Sequence, residues 1–179
     1  MLTTLKNRQT PSAAPSETVK MKIEFVDPFV RAAFGVLEQV LQERPERGQL
    51  ALRNATFTTQ QVTIVHGVVG MVEGSVLYGM SLVTAEKIAS VMIGNPIMSF
   101  DDLASSAISE LGNMITGNAA TYLSQAGYAC DITPPSIARG ANIRMSTTTP
   151  ALVVPVNTQA GRIEINIALQ ERKTVAKVH

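Results

Sequence analysis

The sequence predicts an α/β protein of the α+β kind, in which a largely antiparallel sheet is covered by two long helices. Three patterns predict it. Apolar residues recur at helical steps in two long segments, and β-rich runs come in pairs separated by short turns. The order helix, strand, hairpin occurs twice, from Asp27 to Met80 and from Ser99 to Leu169, without obvious identity between the two halves, so the fold is expected to be pseudo-duplicated.

Residues 1–20, with Thr10-Pro11-Ser12-Ala13-Ala14-Pro15-Ser16, show almost no apolar periodicity and read as a flexible tail. The ordered domain is expected over 21–172, with a second tail over 173–179. Asp27 reads as an N-cap with Pro28 at the first helical position, and Phe29, Val30, Ala33, Val36, Leu37, Val40 and Leu41 supply apolar steps of three and four, to an end before Pro45. Leu50 to Phe57 reads as one strand, and Val62 to Val69 with Ser75 to Met80 as a hairpin. Ser81 or Thr84 caps a short helix that Gly94-Asn95-Pro96 stops.

Ser99 reads as the cap of the second long helix, with Asp101 and Asp102 suited to its positive N-terminal end and Ala126-Gly127 to its break after Gln125. Beyond Pro134-Pro135, Ser136 to Ser146 reads as a strand, and Leu152 to Val156 pairs with Arg162 to Leu169 across Asn157 to Gly161. Both hairpins then join one sheet, whose apolar face the two long helices cover.

Composition narrows the function classes. At 179 residues and 45% hydrophobic content the chain is large enough for one well-buried core. Fifteen basic against fourteen acidic residues leave a net charge of +1, too little field to draw nucleic acid or an anionic membrane, and neither is expected as a partner. Cys130 is the only cysteine, which excludes an internal disulfide and a multi-thiolate zinc site, and the two histidines, His66 and His179, argue against a His-based metal site. No apolar run approaches the roughly 20 residues that span a bilayer, and residues 1–20 lack the apolar stretch of a secretory signal, so a cytoplasmic location is expected.

On the second long helix, Ile108, Leu111, Ile115, Ala119 and Tyr122 repeat at steps of three and four and should face the core. Ser106, Glu110, Asn113 and Gly117 follow a 4-3-4 spacing nearly opposite, so they face outward together. From periodicity alone, an ordinary solvated face is the commoner explanation of such a stripe. Two mid-helix glycines speak against it. Gly112 and Gly117 each cost roughly 0.8–1 kcal/mol relative to Ala, and small residues beside Glu110 and Asn113 would let another protein's surface come close.

The segment Ser106-x3-Glu110-x2-Asn113-Met114-Ile115-x-Gly117-x-Ala119 resembles the active-site helix of the CheC, CheX and FliY phosphatases. Lys22-x-Glu24-Phe25-x-x-Pro28-Phe29 and Gly70-x3-Gly74-Ser75-Val76 resemble CheX in particular, and the similarity runs from about Met21 to Arg172. It implies a CheC-like two-layer fold. It also implies a protein phosphatase that hydrolyses the aspartyl phosphate of a CheY-like response regulator, with Glu110 and Asn113 catalytic and Ser106 and Gly117 partner-binding. Ser106 either hydrogen-bonds the partner or ends the polar stripe, and Gly117 gives clearance.

No cofactor is expected on this chain, with Mg²⁺ expected on the regulator, and the resemblance implies a homodimer. The family pattern has a proline about 22 residues after the motif Asn, to which Pro135 is nearest. Relatives of the CheC kind carry a second Glu/Asn site on the first long helix, but here Glu38 is followed at i+3 by Leu41, so one site per chain is expected.

The alternative is a non-catalytic adaptor of the same fold, binding a response regulator or serving a flagellar switch. A metabolic enzyme ranks last, because no phosphate loop, nucleotide fingerprint or nucleophile triad is present. His66 reads as a satisfied core histidine, Cys130 as a small buried hydrophobe, and Arg172-Lys173-x3-Lys177 as a solvated tail.

Overall fold

The structure, a computed structural model, describes residues 22–172, so the expected tails over 1–20 and 173–179 lie outside the described residues. In chain order the elements are α1 (Ile23–Leu41), β1 (Glu46–Arg47), β2 (Ala51–Arg53), β3 (Thr56–Thr58), β4 (Val62–Gly70), β5 (Val72–Met80), α2 (Leu82–Ile93), α3 (Asp102–Gln125), β6 (Cys130–Ile132), β7 (Ser136–Arg139), β8 (Arg144–Ser146), β9 (Ala151–Thr158) and β10 (Gly161–Glu171).

The long strands form two hairpins, β4–β5 and β9–β10, which join antiparallel through β5 and β10 from Met80 opposite Ile163 to Val72 opposite Glu171. Gly74 makes this junction possible, since its φ is 141° and a Cβ there would lie 2.1 Å from the Ala168 carbonyl oxygen. The short strands then add in exchange: β1 and β2 pair with β9, while β6 and β7 pair with β4. Each half thus completes the hairpin of the other, which is how the duplicated order in the sequence becomes one sheet. A separate two-stranded sheet pairs β3 with β8.

Alternation along the strands assigns the faces. Val62, Ile64, His66 and Val68 of β4 are all buried on one side, together with Tyr78 of β5 and Ile165 of β10. Over this face α1 and α3 pack on each other, and α2 packs on α3, α1 and β10. Three helices therefore cover the sheet, not two, because α2 buries Thr84, Ala85, Ile88 and Ala89. On β10 the alternate residues Glu164 and Asn166 are also buried, and Arg53 donates to both, 2.8 Å to Asn166 Oδ1 and 3.0 Å to Glu164 Oε2.

Several expected boundaries shift for identifiable reasons. Helix α1 starts at Ile23, a turn before the expected cap Asp27, because burial of Phe25 and Val26 carries the helix backward and Pro28 is accommodated inside it. The cap of α3 is Asp101, not Ser99, for the Asp101 carboxylate accepts from the Ala104 amide at 2.9 Å. The expected strand over 50–57 divides into β2 and β3, which serve different sheets. The one over 136–146 divides into β7 and β8, with Gly140 at φ 153° and Asn142 at φ 59° turning the chain between them. Strand β6, too short to show a period, was not expected.

Candidate active site

Helix α3 is held at both ends and along one side. Its first turn has the Asp101 cap, and Asp102 lies where the helix dipole favours a negative charge. It ends in a Schellman arrangement: Gly127, at φ 94°, donates to the Ser124 carbonyl at 3.1 Å, and Tyr128 to the Leu123 carbonyl at 2.9 Å. Ile108, Leu111, Ile115 and Ala119 are buried as expected, while Tyr122 is half-buried, its ring 4.3 Å from the Arg31 guanidinium carbon, and Leu123 takes the core position instead.

A second line of residues on α3 faces the sheet. Thr116 is fully buried and shares a 2.8 Å hydrogen bond with the Tyr78 hydroxyl, whose pKa burial pushes up against the lowering effect of that bond. One turn earlier, Gly112 sits over β4. A Cβ at this position would lie 2.8 Å from Ile64 Cγ2 and 3.0 Å from His66 Nε2. Gly112 is therefore a contact with the sheet, not clearance for a partner, which corrects the expectation for it.

The polar stripe lies on the outward side. Ser106 and Glu110 are exposed, Asn113 is half-buried, and at Gly117 a Cβ would meet nothing within 4 Å. Glu110 and Asn113 are one turn apart on the same face. Ser106 Oγ donates to the Asp102 carbonyl at 2.8 Å, so its proton is spent within the helix and only a lone pair is left to offer. A groove of about 530 Å³ lined by Lys87, Ser90, Val91, Gly94, Asn95 and Pro96 includes none of these residues.

His66 is buried but only half satisfied, unlike the satisfied core histidine expected. Its Nδ1 donates to the Thr133 carbonyl at 3.0 Å, and Nε2 has no hydrogen-bond partner among the described residues. Burial lowers its pKa, against the opposing effect of the bond to Thr133. Cys130 is half-buried against the core, and burial, then Asp131, raises its thiol pKa, an inert setting. Among the described residues no group of three or more His, Cys, Asp or Glu is placed to hold a metal ion, and no helix is long and apolar enough to cross a membrane. The sequence reading missed the contact of Gly112 with His66. The signal was there in the alternation of Val62, Ile64, His66 and Val68, which puts His66 on the helix-facing side.

Glu110 and Asn113 thus stand one turn apart on the outward side of a helix held at both ends, in an α/β fold with an antiparallel sheet. The profile of the family described as "Chemotaxis phosphatase CheX" matches residues 62–157, which include the whole stripe. The chain belongs to this family. It is 31% identical over 138 residues to the CheY-P phosphatase CheX of Thermotoga maritima, covering 76% of this chain and 89% of that one. Among solved structures, a CheC-like superfamily protein from Shewanella sp. PV-4 superposes with a TM-score of 0.76 at 25% identity, covering 84% of this chain and 99% of that one. The CheX–CheY–BeF3–Mg²⁺ complex from Borrelia burgdorferi does so with a TM-score of 0.67 at 31% identity, covering 84% and 100%.

Proposed function

We propose that this chain is a phosphatase that hydrolyses the aspartyl phosphate of a CheY-like response regulator and so ends its signal, with Glu110 and Asn113 as the residues that enter the regulator's site. The observation that carries the reading is the outward-facing polar stripe on α3, within the segment matched by the family. An aspartyl phosphate is already a reactive acyl phosphate, and its hydrolysis needs a water placed in line with the bond that breaks. The amide of Asn113 offers an acceptor for that water's hydrogen and a donor for a phosphoryl oxygen. Water attacks phosphorus, the P–O bond to the aspartate breaks, and carboxylate and inorganic phosphate leave. Glu110 pairs with a basic side chain of the regulator and sets the register in which Asn113 enters. Gly117 leaves room for the partner, and the Ser106 oxygen can accept from it.

In this reading the regulator brings Mg²⁺, which neutralises phosphoryl charge, and the phosphatase acts in the cytoplasm where the regulator is. We also propose a homodimer on family resemblance. The sheet edges do not add to that case, since they consist of strands of two to four residues, and short strands blunt edge pairing. The non-catalytic adaptor is the less favoured alternative, because a binder has no need of an amide at position 113.

The test is release of inorganic phosphate from a phosphorylated CheY-like regulator. Asn113→Ala is expected to lower turnover about a hundredfold or more, the scale for losing a polar group that acts in the transition state. Turnover equal to that of the intact protein would remove the assignment.

A further inference from the structure

Under the catalytic helix, β4 places an imidazole where its neighbours on the same face are Val62, Ile64 and Val68. The side chain is completely buried, and its ring shares with Ile64 the slot that Gly112 leaves open beneath α3, one residue before Asn113. A valine would fill a sheet position without stranding a nitrogen, so the ring is an unusual choice if packing were its only role. It also makes a second connection. His66 Nδ1 donates to the Thr133 carbonyl, the adjacent Gly67 amide donates to Thr133 Oγ1 at 2.8 Å, and the Thr133 amide donates to the Gly67 carbonyl at 2.9 Å. These bonds tie β4 to the segment Thr133-Pro134-Pro135, which runs on into the edge strand β7 beside α3.

We infer that His66 is a positioning residue for the phosphatase site: by filling the slot under Gly112 and gripping Thr133, it sets the height and tilt at which α3 presents Asn113. It touches neither water nor phosphate and acts only through the helix above it. The inference rests on the phosphatase reading. Its expected signature is a loss in turnover with little change in partner binding, because a shift of an ångström misaligns an attacking water far more than it weakens a docking surface.

The experiment measures kcat and KM on a phosphorylated CheY-like regulator, with circular dichroism as a check of fold, for the full chain and five variants. His66→Leu, which fills volume but cannot donate, is expected to keep KM within about twofold and to lose about tenfold in kcat. His66→Asn, which keeps a donor toward Thr133 but vacates the slot, should lose less than His66→Leu. Gly112→Ala alone should lower kcat. Added to His66→Asn, however, it should raise kcat at least about threefold over His66→Asn, since its methyl group and the displaced Ile64 then have the vacated space. Asn113→Ala separates the two claims. If it loses turnover while both His66 variants keep kcat within twofold of the intact protein, the positioning role fails alone; if it turns over normally, the phosphatase reading fails and this inference with it. If His66→Leu does not fold, His66→Asn and its pair with Gly112→Ala decide the matter, and equal losses from Gly112→Ala in both backgrounds overturn the proposal.

Discussion

Gly112 packs so closely over His66 that a methyl group on it would stand 3.0 Å from Nε2, whereas one on Gly117, five residues along the same helix, would meet nothing within 4 Å. The two glycines share a helix and answer to opposite demands.

Alanine at these two positions should consequently move stability in opposite directions. Gly112→Ala overpacks the α3–β4 contact and is expected to destabilise the fold by about 1–3 kcal/mol. Gly117→Ala gains helix propensity and is expected to stabilise it by up to about 1 kcal/mol, while weakening binding of the regulator if clearance is its role. Urea unfolding of both variants checks the signs; a stabilised Gly112→Ala would contradict the packing described.

Glu110 is exposed, so its removal should be felt only in the complex. Glu110→Ala is expected to leave unfolding free energy within about 0.5 kcal/mol, as for other surface changes. Truncating one partner of a charge pair desolvated in an interface costs about 2–5 kcal/mol. A fall in kcat/KM of about thirtyfold or more is the expected result, and a loss under threefold would place Glu110 outside the interface.

Titration of His66 should make the fold acid-sensitive. Its folded pKa lies below the ordinary 6.5, so as pH falls the unfolded chain takes up the proton first and stability drops. The contribution is fully present above pH 6.5 and is lost progressively below it, down toward the depressed folded pKa. Thermal midpoints between pH 7.5 and 5.5 should fall in the intact protein and fall less in His66→Leu. Equal slopes would show that His66 is not the group responsible.

Arg53 holds two buried side chains of β10, donating to Asn166 at 2.8 Å and to Glu164 at 3.0 Å. Glu164 keeps a second cation in Arg162, 3.3 Å away and more exposed. Arg53→Ala is expected to cost about 1.5–3 kcal/mol, the range for lost hydrogen bonds to a charged group. Replacing Arg53 together with Glu164→Gln should cost less than the sum of the single changes, which a double-mutant cycle would register.

Much of this protein is readable in one dimension because periodicity is a local property. The 4-3-4 stripe of Ser106, Glu110, Asn113 and Gly117 follows from helical geometry alone, and so does its place opposite Ile108, Leu111 and Ile115. The hairpins were legible in their alternation and turns, and the repeated helix–strand–hairpin order announced a duplicated sheet. Short elements carried no such signal: two- to four-residue strands such as β1 and β6 exist because a longer neighbour offers them free backbone groups.

Tertiary structure decided what depended on a second segment of chain. Helix α1 reaches back to Ile23 because Phe25 and Val26 find cover, and the short strands of each half cross to the hairpin of the other. The role of Gly112 could not be read from its neighbours in sequence, since the groups that require a glycine there are Ile64 and His66, brought beneath it on β4. Hydrogen on the Cα rather than a methyl group is what allows helix and sheet to meet at that distance, and only the packed fold states which glycine has that task.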